Sequence, residues 1–262
     1  MVYVPAGEFL MGSASKDMFA NPNEKPQHTV YLDAFWIDQT EVTVAKFRSF
    51  VQVDGYQTTA EEQGWAYAWV ESAKEWQKVN GADWQHPFGP GSDVEDDHPV
   101  VQVSWFDAVA YCAWVGGSLP TEAQWEKAAR GTDGRIYPWG NVFDGIFLNY
   151  CDAHCENGDR TFDDGYQFSA PVGSYPAGIS PYGAFDMAGN VWEWTADWYD
   201  DDYYADSPAR NPGGPVSGQY RVLRGGSWNH DRSGMRTVYR LESPAGSRVD
   251  NFGYRCVVAA GD

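Results

Sequence analysis

Residues 132–220 hold many turn signals and few periodic apolar runs, and no other feature limits the fold as much. Gly, Pro, Asn and Asp recur along this stretch, so regular elements in it are short. Ordering each residue costs on the order of 1–2 kcal/mol. A loop region of this length needs something to fix it, and bound metal and buried aromatic rings are the available means. The composition supplies the rings: Phe, Trp and Tyr make up 16% of the 262 residues. Each buries roughly 150–250 Å². The expected fold is therefore α+β, low in regular secondary structure, with a core built on aromatic side chains rather than on Leu and Ile.

Three segments read as helices. Val44, Phe47 and Val51 share a face behind Thr43, a suitable N-cap. Ser104 and Asp107 have capping-box spacing and open a helix that turns Ala108, Val109, Cys112 and Val115 inward. Thr121 and Gln124 form a second box ahead of Trp125, Ala128 and Ala129, and Gly131 is placed to end that helix. Residues 55–97 read as a polar insertion with several Trp and one helix over 71–79. The first residues alternate as a strand, from Val2 to Phe9. The rest is short antiparallel strands, and the whole of 1–262 reads as one domain.

Charge and hydropathy remove several functions. A net charge of -19 repels phosphate backbones and anionic lipid, so no nucleic-acid partner is expected. The charge suits cations, basic peptides or solubility. No apolar run approaches the ~20 residues that span a bilayer, so no membrane insertion is expected. No signal peptide is visible. The expectation is a cytoplasmic protein, or a domain cut from a longer multidomain one.

Several blocks are more specific than composition. They are Pro5-Ala-Gly-Glu-Phe-Leu-Met-Gly12, His98-Pro-Val-Val-Gln-Val-Ser-Trp105, Leu119-Pro-Thr-Glu-Ala-Gln-Trp-Glu-Lys127 and Tyr137-Pro-Trp-Gly-Asn141. Asp186-Met-Ala-Gly-Asn-Val-Trp-Glu-Trp194, Arg221-Val-Leu-Arg-Gly-Gly-Ser-Trp228 and Asn251-Phe-Gly-Tyr-Arg-Cys256 follow. In this order the set closely resembles the formylglycine-generating enzyme family, also called sulfatase-modifying factors, over essentially the whole chain. The resemblance implies that family's variant of the C-type lectin fold.

It also implies a departure. Active members oxidise a cysteine of a sulfatase with oxygen and copper(I), held by two cysteines three and eight residues after the Ser of the Gly-Gly-Ser loop. Counted from Ser227, those positions are His230 and Met235; Arg232 does match the family. The whole surface around Arg224 to Arg240 lacks cysteine. Copper(I) prefers soft thiolates, and His and Met lack a thiolate's charge and electron donation. No copper is expected.

The family's structural calcium implies two oxygen-rich sites. One would use the side chains of Asn149 and Asp164 with backbone oxygens of Tyr150 and Tyr166. The other would use Asp186 and Glu193 with backbone oxygens of Gly189 and Val191. The opposing reading is that Asp186 caps a turn and Glu193 pairs with an arginine. Cys112 and Cys256 match positions that form a disulfide in the family; a pair of buried thiols is the alternative. Cys151, His154 and Cys155 are close enough in sequence to suggest zinc but lack a fourth ligand, so a local disulfide or two loop thiols is favoured. His98 reads as structural. The aromatics of residues 198–204 read as tucked under a solvated loop. Arg221, Arg224, Arg232, Arg236, Arg240, Arg248 and Arg255 are expected to pair internally with carboxylates.

The favoured function is a non-catalytic binding domain whose cleft presents Trp228, Asn229, His230, Asp231, Arg232, Met235 and Arg236 to a protein or peptide ligand. One alternative is a retroelement-diversified variable protein, whose varied positions would include Asn229, His230, Asp231, Ser233, Gly234, Val238, Tyr239, Ser247, Val249 and Asp250. Another is a divergent copper-dependent oxidase acting on a protein cysteine, or a related iron or copper oxygenase.

Overall fold

Side-chain caps start the main helices of the computed structural model, which describes residues 1–14, 18–155 and 158–261. Thr43 Oγ1 accepts the Lys46 N–H and opens α1 (Val44–Asp54), which buries Val44, Phe47 and Phe50, with Val51 packed at the edge. A single turn, α2 (Thr59–Gln63), is boxed by Thr58 and Glu61. Ser104 and Asp107 exchange side-chain and backbone bonds ahead of α3 (Trp105–Trp114), which buries Ala108, Tyr111 and Cys112. Val115, expected inward, lies past the last turn and is 42% exposed. The box of Thr121 and Gln124 opens α4 (Glu122–Arg130), and Gly131, at φ 69°, ends it. The one-turn α5 (Tyr203–Asp206) sits in the loop region and buries Tyr204.

The strands are short, as expected. β1 (Val2–Val4), β4 (Phe35–Ile37) and β11 (Val257–Ala259) form an antiparallel sheet that brings the two ends of the chain together. β2 (Gly7–Met11) pairs with β3 (His28–Leu32). The central sheet runs in the order β10 (Phe252–Gly253), β7 (Trp192–Trp198), β8 (Arg221–Arg224) and β9 (Leu241–Ser243). Its β10–β7 pair is parallel and the others are antiparallel.

The helix expected over 71–79 is instead part of a hairpin. β5 (Trp65–Val70) pairs antiparallel with β6 (Glu75–Asn80), with Trp69 opposite Trp76. The reason is pairing: Ala66 and Ala68 alternate inward on β5, whereas Trp76 and Val79, half-buried and three residues apart, are held extended by the register with β5. Lys74, at φ 55°, turns the chain between the strands.

Rings build the main core. Phe47 meets Phe50 and Trp84 edge to face, and Tyr111, Trp192, Trp194 and Tyr254 pack into the same cluster. A disulfide between Cys112 on α3 and Cys256, beside β11, crosses this core and ties residues 144 apart in sequence.

A layer of buried ion pairs joins α4 to β8 and its following loop. Glu122 receives Arg240 through two bonds of 2.7 and 3.0 Å, and Glu126 receives Arg224 at 2.5 Å and Arg130 at 2.9 Å. Asp197 on β7 faces this layer and accepts the Glu122 N–H at 2.7 Å. Burial first, and then the Glu122 carboxylate, push its acid group up to about 8. A carboxyl whose folded value lies above its unfolded one stabilises fully below the unfolded value, near 3.9, and loses that contribution as pH rises through the folded value. Here the window runs from about pH 4 to about pH 8, and the lost contribution is on the order of several kcal/mol. Asp197→Asn mimics the protonated form. In urea unfolding between pH 5 and 8.5 the variant should lose less stability than wild type; identical slopes would show that Asp197 is already ionised at pH 5.

Candidate functional site

The loop after β8 depends on two glycines. Gly225 and Gly226 take φ of 101° and 81°, and a Cβ on Gly226 would stand 2.8 Å from the Met235 sulfur. The bare backbone there is what admits Met235. That side chain is fully buried and packs with Tyr137, Leu148, Tyr150 and Ala188.

His230 follows a turn in which its N–H donates to the Ser227 carbonyl at 2.9 Å. Its ring stands edge-on to Trp192, with centroids 5.1 Å apart, and near Tyr239. Burial lowers its pKa, so the ring is neutral at pH 7, and its buried Nδ1 has no partner. The two positions where the resemblance implies thiolates thus hold a neutral imidazole and a core thioether. That donor set does not fit a copper(I) site built on anionic sulfur.

The expected binding surface is smaller than its sequence range. Arg224 and Arg240 are buried in the α4 ion pairs, and Arg236 grips Glu24 through two bonds of 2.7 Å. Met235 is buried by packing and Arg236 is held by a buried carboxylate. Asp231 and Arg232 are exposed, Asn229 and His230 are half-buried, and Trp228 shows only an edge. Asn229 is held in place, since its Oδ1 accepts from Ser227 Oγ at 2.7 Å and from Asn251 Nδ2 at 2.9 Å.

Trp228 and Asn229 form one wall of a cavity of about 290 Å³. The β5–β6 hairpin lines it through Trp69 and Trp76, and Phe168 and the Cys151–Cys155 disulfide complete the lining; the Trp76 and Trp228 rings lie 6.2 Å apart. Trp69 and Trp76 meet edge to face at 4.7 Å, and Phe168 meets Trp228 edge to face at 5.0 Å. Asp250 fixes the hairpin: its carboxylate accepts the Trp69 N–H at 2.6 Å and the Trp76 indole N–H at 2.7 Å. The sequence reading missed Trp69, Trp76, Gln167 and Phe168, and gave Asp250 only as a varied position of the retroelement alternative. The available signal was a cluster of Trp in a stretch otherwise polar enough to read as an insertion. The Cys151–Cys155 bond leaves no thiolate pair for zinc, and His154 bonds Asp163 at 3.0 Å.

The oxygen donors implied for calcium fall into two places. Asn149 gives its amide N–H to the Phe168 carbonyl, and its Oδ1 is buried without a partner among the described residues. Asp164 Oδ2 is likewise buried and unpartnered, and burial pushes this carboxyl up to about 6. Two free oxygens in a segment joined through Tyr150 and Tyr166 fit a hard cation. In the second place, both oxygens of Glu193 accept from Arg255, at 2.6 and 2.7 Å, and one also accepts the Trp125 indole N–H. Asp186 Oδ2 accepts from the Gly173 N–H. Glu41, which the sequence reading did not include, lies against Asp186, and its Oε2 is buried and unpartnered. Burial and the neighbouring acids raise the pKa of both Glu41 and Asp186. Glu41, Asp186 and Glu193 lie around one guanidinium, that of Arg255.

Residues 1–260 match the family described as Sulfatase-modifying factor enzyme 1-like domain. The chain is 41% identical to the formylglycine-generating enzyme of Thermomonospora curvata, over 98% of this chain and 92% of that protein. It is 38% identical to the inactive C-alpha-formylglycine-generating enzyme 2 of Mus musculus, over 100% of this chain and 86% of that protein. Among solved structures, PvdO from Pseudomonas aeruginosa superposes with a TM-score of 0.78 at 25% identity, covering 98% of this chain and 93% of that one.

Proposed function

We propose, from the premise that this chain belongs to the sulfatase-modifying factor enzyme family, that it is a non-catalytic binding domain on that family's scaffold. The observation that carries this reading is the fate of the two thiolate positions. His230 is a neutral ring wedged against Trp192, and Met235 is sealed in an apolar cluster. Neither provides the anionic sulfur that copper(I) oxidation of a cysteine requires. The match to a mouse relative inactive by name supports a scaffold that outlives its chemistry. The ligand contacts in this reading are Trp228, Asn229, His230, Asp231 and Arg232, and the ligand is a macromolecule presented at the cleft.

The test is direct. Purified protein is titrated with copper(I) and given a cysteine peptide under oxygen, with uptake followed at an electrode. The expected result is no uptake above the protein-free blank. Sustained turnover would establish the oxidase reading instead.

Calcium belongs to the same proposal as a structural ion. Asn149 and Asp164, with the Tyr150 and Tyr166 carbonyls, would hold one ion. Asp186, with Glu41 and Glu193 beside it and the Gly189 and Val191 carbonyls, would hold a second. The ions would supply charge neutralisation and fix loops that have little regular structure; melting with and without chelator tests them.

A further inference from the structure

We infer that the cavity lined by Trp69, Trp76 and Trp228 is a subsite for an uncharged pyranose ring of a saccharide ligand. This rests on the reading of the chain as a binding domain and names the chemistry its cleft would take.

The argument starts from the walls. Trp69, Trp76, Phe168 and Trp228 surround about 290 Å³, and the contacts among them are tilted or edge to face rather than stacked. Trp69 and Trp76 are half-buried and line the cavity, so their indoles offer surface to a flat apolar face, while Trp228 contributes only an edge. The polar side chains at the same cavity are Glu71, Lys74, His154, which bonds Asp163, and the two amides Gln167 and Asn229. Gln167 makes no side-chain hydrogen bond among the described residues, and Asn229 has its Oδ1 held by Ser227 and Asn251 while its Nδ2 has no protein partner. A carboxamide locked through its oxygen is a preorganised donor.

Charge removes other occupants. Glu71 and Lys74 at the hairpin tip pair with each other, and Glu71 also accepts the Trp69 indole N–H at 2.9 Å. The rim is therefore close to neutral. A charged ligand would find no unpaired counter-ion at the hairpin tip, since Glu71 and Lys74 neutralise each other. An aromatic peptide side chain would use the ring faces but leave both amides unanswered. A pyranose offers an apolar face to the indoles and a perimeter of hydroxyls to Gln167 and Asn229. Asp250 is a positioning residue, since it orients Trp69 and Trp76 from behind.

The probe is a panel of neutral oligosaccharides of glucose, galactose, mannose and N-acetylglucosamine, read by tryptophan fluorescence and confirmed by calorimetry on the full chain. At least one member should bind saturably. Trp76→Ala should abolish that binding, and Gln167→Ala should weaken it at least tenfold without lowering the melting temperature. Trp76→Phe, which retains a ring face, should keep measurable binding and so separates loss of the face from loss of the fold. Silence across the panel, or binding unchanged in Gln167→Ala and Trp76→Ala, overturns the assignment. A parallel array of Tyr-, Phe- and Trp-containing peptides separates the two readings. Peptide binding blocked by Trp76→Ala, with a silent sugar panel, ends this inference and leaves the binding-domain reading standing. Oxygen uptake on the cysteine peptide ends the binding-domain reading itself.

Discussion

Arg255→Met should lower the unfolding free energy by about 3–5 kcal/mol, the range for removing one partner of a buried pair. Arg255 is fully buried and meets Glu193 through two bonds of 2.6 and 2.7 Å. It also donates to the backbone carbonyls of Asp38, Gln39 and Phe185. Methionine fills much of the same space but leaves Glu193 uncompensated beside Glu41 and Asp186. The cost is therefore charge desolvation more than lost packing. Arg255→Lys keeps the charge but cannot make the two-pronged contact, so it should fall between wild type and Arg255→Met. Urea unfolding at pH 7 measures both. A loss below about 1 kcal/mol, typical of a surface pair, would show that Glu193 has another source of compensation.

The second large effect concerns metal. Protein stripped with a chelator and returned to excess calcium should melt about 5–10 °C higher than protein left in chelator. At a calcium concentration 100 times the dissociation constant, one site adds about 2.7 kcal/mol, and each kcal/mol moves the melting temperature of a chain this size by roughly 2–4 °C. Asn149→Ala removes one of the unpartnered oxygens and should shrink the calcium-dependent part of the shift. Magnesium should replace calcium poorly, because it demands tighter octahedral geometry. Equal melting with and without chelator would sink the calcium proposal while leaving the fold untouched.

Much of the local structure was legible in the chain. Thr43, Ser104 with Asp107, and Thr121 with Gln124 announced three helix starts, because a cap is made within three residues of itself. The family blocks pointed to a fold and to two missing cysteines. Other features were not legible. The 71–79 segment carries Trp, Val and Lys in a pattern short enough to fit either period, and only pairing with β5 made it a strand. Of the arginines expected to find carboxylates, Arg224, Arg236, Arg240 and Arg255 do so with partners far off in sequence, Glu126, Glu24, Glu122 and Glu193, whereas Arg221 and Arg248 instead lie over Trp rings and donate to backbone carbonyls.

The sequence by itself determined that the Gly-Gly-Ser loop has no thiolate, since His230 and Met235 stand at the two spaced positions. It also determined the aromatic supply and the helix caps, which depend on residue type and near neighbours. Only the tertiary structure decided what the cleft is made of. Trp69 and Trp76 come from a hairpin far from Trp228 in the chain, and Asp250 pins that hairpin against the loop. The physical reason is distance: caps and turns are settled within a few residues, whereas a cavity wall depends on which surfaces pack against each other. The absent thiolates belong to the first kind of information, and the pocket beside them to the second.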